Sequence, residues 1–131
     1  MTRCEVRNIL EAASEKQYRM QKLTLRERRD NEGLKDLEEF RQAVLAEINR
    51  LRRWDGQHNP AEASTQATII YHRYIKGEKW VRVERICYYR ERQGRTICNR
   101  GLDRLARAFE TNPTIQAYLT TKAEGEKMKS N

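Results

Sequence analysis

Arginine is concentrated in one short stretch of the chain, together with apolar residues at helical spacing. Between Arg90 and Arg107 there are six arginines and only two acidic residues. Apolar residues recur every three or four positions in the same stretch, as they do on the packed face of a helix. Guanidinium groups bind phosphate oxygens and guanine edges, so the pattern favours a helix that packs on one side and binds a polyanion on the other.

The excess of positive charge lies almost entirely in the C-terminal half. Residues 1–62 carry 13 Lys and Arg against 12 Asp and Glu, whereas residues 63–131 carry 14 against 7. The net charges are therefore +1 and +7, which together give the +8 of the whole chain. This asymmetry favours a polyanionic partner for the C-terminal half, and the alternative is a basic surface that serves only solubility.

Few residues could support catalysis or bind a metal. Cys4, Cys87 and Cys98 form no close pair, and the only histidines are His58 and His72. No Cys-x-x-Cys spacing, Ser/His/Asp set or paired carboxylates stand out. We therefore predict no enzyme activity, no metal, no cofactor and no disulfide, with Cys87 and Cys98 as small core residues.

The sequence predicts neither a membrane span nor a secretory signal. Its 131 residues are 37% hydrophobic and 35% charged, enough apolar surface for one modest domain. No stretch approaches the roughly 18 apolar residues of a membrane helix, and the N-terminus lacks an apolar signal-peptide run. We expect a cytosolic protein, or a nuclear one in a eukaryote.

Two amphipathic helices are predicted in the N-terminal half. The first spans 4–30 and ends at the sequence DNEG, and the second runs from 34 to about 54. In the second helix Leu37, Val44 and Leu51 are seven residues apart, close to a heptad pattern. The neighbouring seam is filled by Leu34, Phe40, Ile48 and Trp54. Residues 1–56 are therefore predicted to form an antiparallel helical hairpin for oligomerisation or partner contact.

The C-terminal half reads as a series of shorter helices. After a loop at 55–60, helices are predicted from about 61 to 75, over 80–88 and over 91–109. A last helix starts at Pro113, with Thr111 or Asn112 as its cap. The tail from Ala123 looks frayed. The prediction is an all-α chain with a second unit at 61–122 and a flexible tail at 123–131.

The helices at 80–88 and 91–109 are joined by only three residues, Tyr88 to Arg90. Their facing apolar positions are Trp80, Val83, Ile86 and Cys87 on the first, and Ile97, Cys98, Gly101, Leu102 and Leu105 on the second. The outer stripe of the second helix is Arg92, Arg95, Thr96, Asn99 and Asp103. This arrangement predicts a helix-turn-helix whose second helix offers its polar stripe to the major groove of DNA.

The same stretch resembles a known family. Residues 72–106, HRYIKGEKWVRVERICYYRERQGRTICNRGLDRLA, resemble region 4 of bacterial sigma factors and look still more like phage late-transcription regulators of the RinA/ArpU type. The matching residues are Arg73, Tyr74, Ile75, Gly77, Trp80, Val83, Cys87 and Tyr89, continued by Ile97, Gly101, Leu102 and Leu105. The likeness covers about residues 67–107. It implies a sigma region 4-like helix-turn-helix and a location in the cytoplasm of a bacterial host.

Site residues follow from this resemblance position by position. It implies base-reading roles for Glu91, Arg92, Arg95, Thr96 and Asn99, and we assign phosphate contacts to Arg73, Lys79, Arg82, Arg90 and Arg100. Two positions depart from the pattern. Arg90 stands where the family has a capping Ser or Thr, and Gly94 stands where Val or Ile anchors the helix.

Three functions remain open at this stage. The first is a sequence-specific DNA-binding transcription regulator of a phage or prophage, a homo-oligomer that binds double-stranded DNA. The second is an interaction protein that uses the same motif to occupy a protein surface such as host RNA polymerase. The third is a packaging protein of small-terminase type, which combines a helix-turn-helix with a helical oligomerisation segment.

Overall fold

The described part of the chain is helical, without a β-strand. The computed structural model describes residues 1–56 and 59–129, so the predicted loop at 55–60 lies partly outside it. The helices are α1 (Arg3–Ala12), α2 (Glu15–Glu27), α3 (Asn31–Arg50), α4 (Pro60–Ile70), α5 (Trp80–Cys87), α6 (Glu91–Thr111) and α7 (Pro113–Lys129). A π-helical segment, Tyr71–Ile75, continues α4. The predicted all-α fold class is confirmed.

The predicted first helix is broken in two at Ala13 and Ser14. Ser14 has an extended backbone and accepts a hydrogen bond from the Gln17 backbone N–H, so it caps the N-terminus of α2. Ala13 is fully buried at the bend. The break turns α1 away from α2 and onto α6, where Arg3 pairs with Asp103. The prediction of one continuous helix over 4–30 was wrong, because a buried alanine and a capping serine outweigh the helix propensity of their neighbours.

Helix α3 begins earlier than predicted. Asp30 accepts a hydrogen bond from the Gly33 backbone N–H, so the predicted stop signal is the cap of α3. The residues at heptad spacing, Leu37, Val44 and Leu51, are all buried. Trp54 was predicted in the seam of this helix but lies beyond its end and is 58% exposed.

Helices α2 and α3 run in opposite directions. Arg41 Nε donates to the Ala13 carbonyl oxygen at 3.1 Å. Further along, Tyr18 is hydrogen-bonded to Glu38. The order of the contacts is reversed between the two helices, which is the arrangement expected for neighbours joined by a short turn.

One hydrophobic core joins the two halves of the chain. It contains Val6 and Leu10 from α1, Phe40 and Val44 from α3, and residues of α4, α6 and α7. Phe40 also stacks on the ring of Tyr118 in α7, with centroids 4.2 Å apart. The separate roles predicted for 1–56 and 61–122 remain predictions, but these ranges share their core.

Helices α4 and α6 pack closely together at Gly101. A Cβ atom added there would lie 2.7 Å from Ile70 Cδ1 and 3.1 Å from Gln66 Cβ. Gly94, about two turns earlier on α6, differs because an added Cβ would meet only the Trp80 ring, at 3.5 Å. The absence of a side chain is therefore required for packing at Gly101 and not at Gly94.

We predict opposite effects for alanine at these two glycines. Gly101→Ala should lower the free energy of unfolding by about 1–2 kcal/mol, because Gln66 Cβ is fixed to the α4 backbone and the two helices must separate. Gly94→Ala should raise it by about 0.5–1 kcal/mol through helix propensity. Urea unfolding followed by circular dichroism measures both variants. Equal effects would contradict the packing described here.

Helix α7 begins at Pro113, as predicted, and extends into the predicted tail. Asn112 caps it, with its side-chain oxygen accepting from the Ile115 backbone N–H at 3.1 Å, which confirms one of the two predicted caps. The helix continues to Lys129 instead of fraying from Ala123. Residues 130 and 131 of the predicted flexible tail lie outside the described ranges.

Candidate nucleic-acid interface

Helices α5 and α6 are joined by Tyr88, Tyr89 and Arg90, as the sequence predicted. Val83 of α5 is buried against the core, and Trp80 covers Gly94 at the start of α6. Helix α5 ends where Tyr88 takes a left-handed conformation and its N–H donates to the Glu84 carbonyl oxygen at 2.9 Å. These contacts hold the first turns of α6 beside α5.

The missing cap of α6 is replaced from α5. Arg90 occupies the N-cap position with extended backbone, but its side chain makes no capping hydrogen bond. Instead Glu84 Oε1 accepts a hydrogen bond from the Glu91 backbone N–H at 2.6 Å. A carboxylate also suits the positive end of the helix dipole. Arg90 therefore leaves its guanidinium group available at the link, and Glu84 caps α6, a role that was not predicted from the sequence.

Four of the five predicted base-reading residues lie exposed on the first two turns of α6. Glu91, Arg92, Arg95 and Thr96 are all exposed. Arg95 pairs with Glu91 at 3.3 Å and lies over the Trp80 ring at 5.1 Å. Arg92 is free to bind a ligand, since its side chain has no hydrogen bond or ion pair with the described part of the chain.

The fifth predicted base-reading residue is covered by α1. Asn99 is partly buried and its side-chain oxygen accepts from Arg7 at 3.4 Å. One turn further, Arg3 forms two hydrogen bonds with Asp103, at 2.8 and 2.9 Å. Side chains of α1 therefore pair with both residues of the second half of the predicted polar stripe, and the part of the stripe without contacts to α1 ends at Thr96.

The predicted phosphate contacts fall into two groups. Lys79, Arg82 and Arg90 are exposed and make no side-chain hydrogen bond or ion pair within the described ranges. Arg73 is partly buried, donates to the Glu78 carbonyl oxygen at 3.2 Å and lies 5.7 Å from the Trp80 ring centroid. Arg100 pairs with Glu62 at 2.5 Å. Arg73 and Arg100 are therefore engaged in contacts with other parts of the fold.

One further cation was not singled out from the sequence. Arg85 lies one turn after Arg82 on α5, is exposed and has no partner in the described ranges. Its spacing of three residues from Arg82 was a usable signal. The surface formed by Lys79, Arg82, Arg85, Arg90 and Arg92 is called the link surface below.

Tyr88, in the link between α5 and α6, is exposed and has a strained backbone conformation. Its φ angle is 62° and 93% of its surface is accessible. A bulky L-residue in this conformation costs about 1–2 kcal/mol relative to its ordinary conformations. Burial does not compensate for the strain, because so little of the side chain is covered.

Tyr88→Gly is expected to raise the free energy of unfolding by about 1 kcal/mol, because glycine adopts a positive φ without steric cost. The matched control is Tyr89→Gly, at a neighbouring position whose φ is not positive and which is 40% exposed. That change should lower stability. Thermal unfolding of the two variants tests the assignment, and a loss of stability in Tyr88→Gly would contradict it.

Three titrating groups on α6 or in the π-helical segment have perturbed pKa values. Burial raises the pKa of Cys98 to about 11, so its thiol is held in the unreactive protonated form. The hydrogen bond from Arg3 lowers the pKa of Asp103 below its ordinary value. Burial raises the pKa of the Tyr74 hydroxyl. Each shift favours the protonation state that the group already has at neutral pH.

Metal-binding clusters and membrane-spanning helices are both absent from the described ranges. No group of three or more His, Cys, Asp or Glu residues there is arranged to hold a metal ion. Among the helices of the same ranges, none combines the length and apolar character needed to cross a bilayer.

Comparisons with known proteins leave the chain without an assigned family. No protein-family model matches it, and searches of curated proteins and of solved structures found no significant match.

Proposed function

We propose that the chain is a sequence-specific DNA-binding transcription regulator encoded by a phage or prophage. In this proposal α5, the three-residue link and α6 act as a helix-turn-helix of the sigma region 4 type, as the sequence resemblance implies. The first two turns of α6 enter the major groove and the link surface lies along the DNA backbone. Residues 1–56 support this unit and provide contacts to other chains.

The observation that carries the proposal is the unpaired positive charge of the link surface. Arg82, Arg90 and Arg92 are exposed without a partner in the described ranges, whereas Arg73 and Arg100 are engaged internally. Cations left unpaired next to one another repel, and a polyanion relieves that repulsion. DNA supplies phosphates at regular spacing along such a surface.

The individual roles follow from exposure and partners. Arg92 is the main base-reading residue, because a free guanidinium on the groove side of α6 can form a paired contact with guanine O6 and N7. Arg95 is held in place by Glu91 and the Trp80 ring, and it reads an adjacent position. Lys79, Arg82 and Arg90 bind phosphates. Asn99 contributes only if Arg7 releases it.

Two single substitutions test this division of roles. Binding of fluorescent duplexes, selected by the wild-type chain from a random pool, is measured by anisotropy. Arg92→Ala should weaken binding by about 1–3 kcal/mol for the selected site and relax the base preference at one position. Arg82→Ala should weaken selected and unselected duplexes alike and reduce the salt slope by about 1. Failure of the wild-type chain to bind any duplex overturns the proposal.

A second candidate function is favoured by the apolar part of the same surface. Val81 is 63% exposed and Tyr88 is 93% exposed, beside the cations of the link surface. Such side chains also suit a protein partner, so the chain could act as an interaction protein on host RNA polymerase. The double change Arg92→Ala and Arg95→Ala separates the two. Loss of DNA affinity supports the regulator, and undiminished activity in transcription without DNA affinity supports the interaction protein.

A further inference from the structure

Helix α2 exposes an apolar ridge although it lies on the surface of a packed domain. None of its residues is fully buried. Met20 is 55% exposed and Leu23 is 61% exposed. They lie three residues apart and therefore on one side of the helix. Two large apolar side chains together on a surface helix indicate an interaction site more strongly than one would alone.

A groove adjoins this ridge. It has a volume of about 900 Å³ and lies between α2, α3 and α7. Met20, Leu25, Ala117 and Tyr118 contribute its apolar lining, while Asp36 is among its polar residues. Met20 belongs to the ridge and to the groove. The exposed apolar ridge and the groove therefore lie side by side on the surface.

The charges on the two sides of the groove are opposite in sign. Residues 15–29, which contain α2, carry six Lys and Arg against two Glu. Residues 30–39, which contain the first half of α3, carry five Asp and Glu against one Lys. Several of these charges are unpaired within the described ranges: Lys16 and Arg26 on α2, and Glu32 and Asp36 on α3. Lys16 and Arg26 flank the ridge, and Asp36 lines the groove.

We propose that the groove receives α2 of a second copy of this chain, in a two-fold symmetric dimer. A two-fold axis brings each ridge to the groove of the other copy, so both apolar features are covered at once. The same operation places the basic face of α2 against the acidic face of α3 in each direction. Charge complementarity of this kind fixes the register of an interface. The inference does not depend on DNA binding.

Sedimentation equilibrium of the full chain tests the dimer. At about 100 µM, a concentration that populates interfaces of modest affinity, the wild-type chain should have twice the 15.6 kDa mass of one copy. Leu23→Glu should give the monomer mass, because it places a charge in the apolar contact. The matched control Val81→Glu changes a residue of similar exposure on α5, 63% against 61%, and should remain dimeric. A wild-type monomer would overturn the proposal.

A charge exchange identifies the faces that meet. One variant carries Lys16→Glu and Arg26→Glu, so that the four named positions 16, 26, 32 and 36 are all acidic. The other carries Glu32→Lys and Asp36→Lys, so that the same four positions are all basic. Each alone should be monomeric, because like charges then oppose one another in both contacts of its own dimer. An equimolar mixture should form a heterodimer.

The charge exchange has one result that supports the contact between α2 and α3 and two results that would overturn it. Circular dichroism and the unfolding temperature of each variant show that the altered chains remain folded before they are mixed. A heterodimer from two folded monomeric variants can arise only if α2 of one copy meets α3 of the other. Monomers that stay monomeric on mixing, or variants that dimerise alone, would overturn the proposed faces. In the first case a segment of a different protein would be the occupant of the groove.

Discussion

Replacing Arg82, Arg90 and Arg92 together by Ala is expected to lower the affinity for duplex DNA by about 100- to 1,000-fold at roughly 0.1 M salt. In this proposal Arg82 and Arg90 each neutralise a phosphate, so their loss removes about 1.8 from the slope of log affinity against log salt, at about 0.9 per contact, and the loss of Arg92 removes a base contact. All three side chains are exposed and lack partners in the described ranges, which means that little of the fold depends on them.

The control for this prediction carries the same loss of charge elsewhere. Lys35, Arg53 and Arg107 are exposed and lie away from the α5–α6 link. Their replacement by Ala should change affinity by only a few-fold, through the lower net charge. Anisotropy titrations of one duplex at several salt concentrations give both slopes. If the control lost as much affinity as the link-surface variant, binding would follow net charge and not this surface.

Arg104→Ala is expected to lower the free energy of unfolding by about 3–5 kcal/mol, the second large effect. Arg104 is partly buried on α6 and donates to the carbonyl oxygens of Leu51 and Arg53, each at 2.8 Å. It also donates to the Gln66 side-chain oxygen at 2.8 Å and pairs with Asp55 at 3.5 Å. One guanidinium group thus donates hydrogen bonds to backbone carbonyl oxygens just after α3 and to the side-chain oxygen of Gln66, which is fully buried on α4.

The cost of this substitution comes mainly from the acceptors left behind. Gln66 is 1% exposed, so its oxygen cannot turn to water when Arg104 is removed. A buried polar group without a partner costs about 1–3 kcal/mol. Arg107→Ala is the matched control, one turn further on the same helix and exposed, and it should change stability by less than about 0.5 kcal/mol. Urea unfolding distinguishes them, and equal effects would contradict the role of Arg104.

The sequence was most informative where a local signal sets the structure. The three-residue link and the buried positions Leu37, Val44 and Leu51 were predicted, and Asn112 was one of the two residues predicted to cap α7. Caps and periodicity act over a few residues, so they can be recognised in the sequence of a single segment. The break at Ser14 was also a local signal, but a serine within good helix formers does not stand out.

Contacts between distant segments could not be predicted. Arg7 of α1 donates a hydrogen bond to Asn99 of α6, more than ninety positions away in the sequence. The spacing of residues within either helix does not indicate this contact. The same limit applies to the arginines. Arg92 and Arg104 look equivalent in the sequence, yet one is free and the other holds two helices together. A guanidinium suits a phosphate and a carbonyl oxygen equally well, so only the fold distinguishes the two uses.

Protection of guanine N7 from methylation by dimethyl sulfate tests the central claim most directly. Guanine N7 lies in the major groove, where we place the first two turns of α6, whereas adenine N3 lies in the minor groove. On a duplex selected by the wild-type chain, we predict protection of at least one guanine N7 that disappears with Arg92→Ala. Protection of adenine N3 alone, or a guanine pattern unchanged by Arg92→Ala, would contradict the account.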